Sequence, residues 1–129
     1  MIVVDTDVLI DALRGRDPGA AKVRELLVGD GLATTAVIAF ELCSGGRSEK
    51  QLQAIASLLA ALTVIPFDTA SMEAAASVRT QLESSGRGIG MADYLIAGCC
   101  VARRASLLTR NHQHFGRIAG LRLEPMAEG

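Results

Sequence analysis

Five short strand-like runs separated by stretches of helical period constrain this chain more than any other feature. The runs are "MIVV" at the start, "LATT" at 32–35, "LTVIPFD" at 62–68, "SLLT" at 106–109 and "LRLEP" at 121–125. Between the first four, apolar residues recur three and four positions apart, which predicts helices at 7–13, 20–28, 36–44 and 49–61, a long one ending near Ser84, and another over "MADYLIAGCCVARR". Strands joined through helices cannot pair as tight hairpins. They predict an α/β fold with a central, mostly parallel sheet of about five strands, covered by helices on both faces as a three-layer α/β/α sandwich. With 129 residues, residues 1–129 are expected to form a single domain around one core. Aromatics are only 3%, so that core is built from Ala, Val, Leu and Ile.

Boundaries are marked by local chemistry. Thr6 is positioned to cap the first helix, Thr35 the third, and Asp68 or Thr69 the long one. "GRDPG" reads as a turn, "GDG" ends the second helix, and Gly45-Gly46 ends the third. "SSGRGIG" reads as a loop, and "RNHQHFGRIAG" separates the fourth and fifth strands. Three cysteines, two of them adjacent, make a poor disulfide or zinc framework, and Cys43, Cys99 and Cys100 read as small buried hydrophobes. No stretch approaches the ~18 apolar residues of a membrane span, and no basic segment precedes the short apolar start. The expectation is a cytoplasmic protein without a membrane partner.

The first strand raises a chemical question, because "IVV" runs directly into Asp5. A carboxylate at a buried strand end costs stability unless it is hydrogen-bonded, solvated or neutralised by a cation. In parallel sheets ligands gather at the carboxyl ends of strands. Glu41, one or two turns into the helix after the second strand, and Asp93, in the first turn of the helix before the fourth, reach that same rim. Each has an ordinary alternative: Asp5 as a helix cap, Asp93 as an acid at a helix N-terminus. Glu41 is harder to dismiss, since "VIAF" and "LC" around it suggest a buried helix. Three carboxylates brought together repel one another, and a divalent cation resolves the repulsion. An oxygen-only set suits Mg2+ or Mn2+, which points to metal-assisted phosphodiester hydrolysis. Asp7, Asp11 and Asp68 are set aside as a first-turn acid, a surface partner of Arg14 or Arg16, and a cap.

Charge adds a second hint. Between Arg79 and Arg122 stand seven arginines against two acids, a face suited to docking phosphates. "TRNHQHF" lacks the helix and Glu of a zinc-protease motif, but Thr109, Asn111 and His114 fall where a carboxyl-end site should be and could position water or phosphate, as could Thr6. A phosphatase of the aspartyl-phosphate kind would call for a late lysine, and none follows Lys50.

The combination of "VVDTDVLID", "FELCSG", "IGMADYLIAG" and "LLTRNHQHFGRIAGLRLE", in that order across nearly the whole chain, resembles the PIN-domain family, specifically the VapC-type toxins of bacterial toxin–antitoxin pairs. The resemblance implies an endoribonuclease dependent on Mg2+ or Mn2+, a homodimeric toxin, and a VapB-type antitoxin that occludes the site. Asp5, Glu41 and Asp93 match the family's three acidic positions, with Asp5 and Asp93 holding the metal and Glu41 completing the site. Many family members carry a fourth acid in the segment where this chain has "NHQHF", which implies a one-metal site here. Two other readings share the fold: a non-catalytic module that binds RNA or a partner, and an RNA-maturation nuclease without an antitoxin.

Overall fold

A computed structural model describes residues 1–29 and 31–126, so the middle of "GDG" lies outside the described residues. Its strands are β1 (Ile2–Val4), β2 (Leu32–Thr35), β3 (Thr63–Ile65), β4 (Ser106–Leu108) and β5 (Arg122–Leu123). They form one sheet in the order β3-β2-β1-β4-β5, and every pairing is parallel. The helices are α1 (Thr6–Arg14), α2 (Gly19–Leu27), α3 (Ala36–Ser44), α4 (Glu49–Ala60), α5 (Thr69–Ser84), α6 (Met91–Arg103) and the short α7 (His112–Phe115).

Strand order decides where chemistry can occur. From β1 the chain winds outward through β2 and β3, then returns to place β4 on the other side of β1. The carboxyl ends of β1 and β4 therefore flank a switch point, where the connecting segments diverge and leave a crevice. Val3 and Val4 of β1 and Leu107 and Leu108 of β4 are fully buried, so the strands leading to the crevice are held by the core itself. Each such side chain contributes ~1.5–3 kcal/mol of burial.

Local chemistry accounts for most element boundaries. Thr35 accepts from the Ile38 N–H at 3.1 Å, Ser48 from Gln51 at 3.1 Å and Asp68 from Ser71 at 3.0 Å, each satisfying a first-turn donor of the helix it precedes. At the first helix the alternative reading of Asp5 holds in place of a Thr6 cap. The cap is Asp5, whose Oδ1 accepts the Thr6 N–H at 2.9 Å, and Thr6 is the first helical residue. The cap and the candidate site acid are thus the same carboxylate. Between β4 and β5, where the sequence assigned no element, stands α7, a single helical turn; Asn111 caps it, its Oδ1 accepting from the His114 N–H at 3.3 Å.

Two other expectations change. Cys99 and Cys100 are buried, and burial pushes the Cys100 thiol up to about 12, so it stays protonated. Cys43 is exposed, because α3 turns that flank away from the sheet. Asp11 is buried and pairs with Arg110, Nε to Oδ2 at 3.0 Å, rather than with Arg14 or Arg16. The reason is tertiary: the segment after β4 lies over α1.

Helices α5 and α6 pack closely and are tied at one end by a polar cluster. Ser71, with no exposed surface, donates to Asp68 Oδ1 at 2.8 Å and accepts from Arg103 Nη1 at 2.9 Å; Arg103 Nη2 donates to Asp68 Oδ2 at 2.8 Å. Ser71→Ala leaves a guanidinium N–H without its partner in a partly buried setting. It is expected to cost about 1–2 kcal/mol in denaturant unfolding, with no effect on chemistry at the opposite end of α6.

Candidate active site

Asp5 sits at the switch point and is only 7% exposed. Its backbone N–H continues the β1–β4 ladder, donating to the Leu108 carbonyl at 2.9 Å, so the main chain cannot swing the side chain away. Its carboxylate is gripped on both oxygens: Oδ1 by the Thr6 N–H, and Oδ2 by the hydroxyl of Thr109 at 2.7 Å. Thr109 is fully buried and follows β4, so this contact spans 104 residues of sequence across one strand spacing.

Burial is the largest influence on Asp5 and pushes its carboxyl from the ordinary 3.8 up to about 6. The Thr109 and Thr6 hydrogen bonds pull it down, while the negative charges of Asp7 and Asp93 push it further up. Two consequences follow. Asp93 lies close enough for its charge to act on Asp5, and the site destabilises negative charge when it holds no cation.

Thr109→Val removes a hydrogen bond that favours the ionised form while keeping the shape. The Asp5 carboxyl is expected to rise above about 6, readable as a shift of its carboxyl-carbon titration by NMR in metal-free protein.

Asp93, in the first turn of α6, is 22% exposed, and its Oδ2 lies 3.0 Å from Nδ1 of His114. Glu41 stands apart from the pair. It is half-buried, and its Oε1 accepts from the Thr6 hydroxyl at 3.0 Å. Its helix is not the buried one its neighbours suggested, since Phe40 beside it is 71% exposed. Glu41 therefore borders the crevice through Thr6, whereas the charge of Asp93 reaches Asp5.

The structure brings all seven sequence-selected residues to one rim. Asp5, Thr109, Asn111, His114 and Asp93 form one connected set, because Asn111 N–H also donates to Thr109 Oγ1 at 3.1 Å. Thr6 and Glu41 form its margin. Asp7 was missed. Its Oδ2 accepts from the Arg110 N–H at 3.0 Å, its Oδ1 is buried without a partner, and its charge outranks that of Asp93 in raising Asp5. The doublet "DTD" is the signal in the sequence that puts a second carboxylate beside Asp5, and its first-turn place in α1 does not reveal that effect.

Among the described residues, no three His, Cys, Asp or Glu side chains close into a metal cage. The carboxylates of Asp5 and Asp93 are the kind of donor that magnesium or manganese takes, ions that need one or two carboxylates and keep several waters. The carboxylate donors are oxygens, and the repulsion that Asp7 and Asp93 exert on Asp5 is what a divalent cation would relieve.

Most of the arginine excess is committed within the protein. Arg79 pairs with Glu83, Arg103 with Asp68 and Arg110 with Asp11; Arg117 and Arg122 donate to backbone carbonyls. Arg87 and Arg104 have no side-chain partner among the described residues. Arg87 lies on the loop leading into α6 and toward Asp93. That loop is pinned from one side by Arg117 Nη1 on the Gly88 carbonyl at 3.0 Å, and from the other by the Tyr94 hydroxyl, which accepts from the Ile89 N–H at 3.0 Å. Arg104 follows the far end of α6.

Comparison with known proteins gives a consistent result. Residues 2–121 match the model of the PIN domain. The chain is 36% identical over 118 residues to ribonuclease VapC19 of Mycobacterium tuberculosis, covering 89% of this chain and 92% of the relative. It is 27% identical over 126 residues to the tRNA(fMet)-specific endonuclease VapC of Shigella flexneri, covering 95% of each. Among solved structures, DNA-bound VapBC from Salmonella typhimurium superposes with a TM-score of 0.88 at 25% identity, covering 98% of both chains. VapBC2 from Rickettsia felis, bound to a DNA fragment from its promoter, superposes with a TM-score of 0.84 at 26% identity, covering 96% of this chain and 98% of that one.

Proposed function

The chain belongs to the PIN-domain family, and from that premise we propose that it is a magnesium- or manganese-dependent endoribonuclease, the toxin of a VapBC-type toxin–antitoxin pair. The observation that carries the reading is the meeting of Asp5 and Asp93 at the β1–β4 switch point, where burial and neighbouring charge push the Asp5 carboxyl to about 6.

In this reading Asp5 and Asp93 hold the ion, which when bound supplies a polarised water and neutralises charge growing on a phosphoryl oxygen. The protein's own groups do the rest. Thr109 and the Thr6 N–H fix the Asp5 carboxylate in one orientation, which spares reorganisation during the reaction. Glu41, held by the Thr6 hydroxyl, borders the crevice and orients the attacking water or takes its proton. Arg87 offers an unpaired guanidinium for a flanking phosphate.

The partner assignments rest on the relatives, several of which are VapBC complexes. A groove of about 480 Å3, lined in part by Ile10, Leu13, Leu42 and Ile55, runs between α1, α3 and α4 and reaches Glu41. A VapB-type antitoxin segment seated in that groove would meet the margin of the site and occlude it. The exposed Phe40 on α3 supports pairing with a second copy, testable by light scattering of the purified chain.

The direct test is cleavage of a mixed pool of structured RNAs by the purified, antitoxin-free protein with magnesium, with manganese and with chelator. Fragments that require the metal are expected. Cleavage unchanged by chelator overturns the metal assignment, and absence of cleavage by folded, Mn2+-binding protein overturns the nuclease assignment for that pool.

A further inference from the structure

One contact at the crevice is not explained by the three matched acids. His114 Nδ1 lies 3.0 Å from Asp93 Oδ2, and the histidine reaches that point by a route the protein builds residue by residue. Asp5 Oδ2 accepts from Thr109 Oγ1, which accepts from the Asn111 N–H; Asn111 Oδ1 accepts from the His114 N–H; the His114 ring then meets Asp93. Six consecutive positions, 109–114, thus form a hydrogen-bonded strap from one site carboxylate to the other. Phe115, fully buried, anchors the end of that strap in the core.

We propose that His114 is a positioning residue: its Nδ1–H orients the Asp93 carboxylate toward Asp5 and thereby sets the spacing of the two metal-holding oxygens. The chemistry of the pair requires this direction. An ionised carboxylate only accepts hydrogen bonds, so Nδ1 is the donor, and in the neutral ring Nε2 is left as the acceptor. With Oδ2 held by His114, Oδ1 is the Asp93 oxygen free to face the crevice. The segment that lacks a carboxylate therefore contributes by orienting one rather than by adding one. Asn111, as the cap of α7, determines where the ring points, which explains why a single helical turn is built there at all.

This inference rests on the metal reading above, and its test separates the two. Mn2+ binding is measured calorimetrically for the wild type, His114→Ala and His114→Asn, whose amide nitrogen takes the place of Nδ1, with a melting curve for each. Loss of the group that orients a ligand carboxylate is expected to weaken Mn2+ binding by about 10–100-fold in His114→Ala, with most of the affinity restored in His114→Asn. Without metal, ring 15N shifts at alkaline pH are expected to show His114 as the Nδ1–H tautomer.

Equal Mn2+ affinity in wild type and His114→Ala, or an Nε2–H tautomer, overturns the positioning role alone. Parallel loss in the Ala and Asn variants, tracking their melting temperatures, assigns the residue to packing and overturns it too. Failure of the wild type to bind Mn2+ overturns the metal site, and this inference with it.

Discussion

Asp5→Asn is expected to leave no detectable RNA cleavage while making the metal-free protein more stable at neutral pH. The two effects share one cause. In the folded chain the Asp5 carboxyl is held at about 6 by burial and by the charges of Asp7 and Asp93, against 3.8 for the ordinary group. A raised carboxyl means the native state binds the proton more tightly than the unfolded chain. Its contribution to stability is fully present below 3.8 and is lost as pH rises through about 6. At pH 7 the difference of roughly two pH units corresponds to about 3 kcal/mol at most.

Asn removes the charge and keeps the shape. Its carbonyl can still accept from the Thr6 N–H, but the Thr109 hydroxyl loses an acceptor, so the net gain is about 1–2 kcal/mol. The measurement is thermal melting of wild type and variant across pH 4 to 8 in chelator. The wild type should lose stability with rising pH more steeply than the variant, and added Mn2+ should restore only the wild type. Full cleavage by Asp5→Asn would remove this residue from the catalytic assignment. Matching pH profiles would show that the carboxylate is not strained.

Gly98→Ala is expected to destabilise the fold by about 3 kcal/mol or more, a large fraction of a small domain's stability. Gly98 lies in α6 where α5 crosses it. A β-carbon there would stand 2.5 Å from the Ser71 carbonyl oxygen, 2.6 Å from Ala75 Cβ and 2.8 Å from the Ala75 nitrogen. Two of those neighbours are helix backbone, which cannot move aside as a flexible side chain can. Relief requires the helices to separate, and that would loosen the helix that presents Asp93. A second substitution, Ala75→Gly, removes only the side-chain contact and should recover only part of the loss. Denaturant unfolding of the single and double variants decides this, and a wild-type midpoint for Gly98→Ala would show that the helices can separate at little cost.

Much of this was legible in the residues. Strands of three or four residues alternating with helices specify a parallel sheet through periodicity alone. The caps Thr35 and Asp68 were readable because a cap bonds within its own first turn. Asp5 at a strand end, Glu41 within a helix and Asp93 in a first turn could be placed on one rim, since in a parallel sheet all carboxyl ends point the same way. The family motifs extended that placement to a function. Within the rim, however, sequence order carried no distances. Asp7 is the first-turn acid it looked like but also acts on Asp5, Asp11 looked like a surface partner of Arg14 or Arg16, and "NHQHF" like polar residues near a strand end without a carboxylate.

By itself, then, the sequence determined most element types, the caps Thr35 and Asp68, and the arrival of Asp5 and Asp93 at the carboxyl edge, because each depends on contacts within a few residues. Only the tertiary structure decided which of them meet. Placing β4 beside β1 brings Thr109 onto Asp5 from 104 positions away, His114 onto Asp93, and Arg110 onto Asp11, while leaving Glu41 to Thr6 at the margin. The physical reason is that hydrogen bonds and the charge effects that shift a carboxyl act through space over a few ångströms. Those distances are set by strand order and helix docking, which local periodicity does not contain.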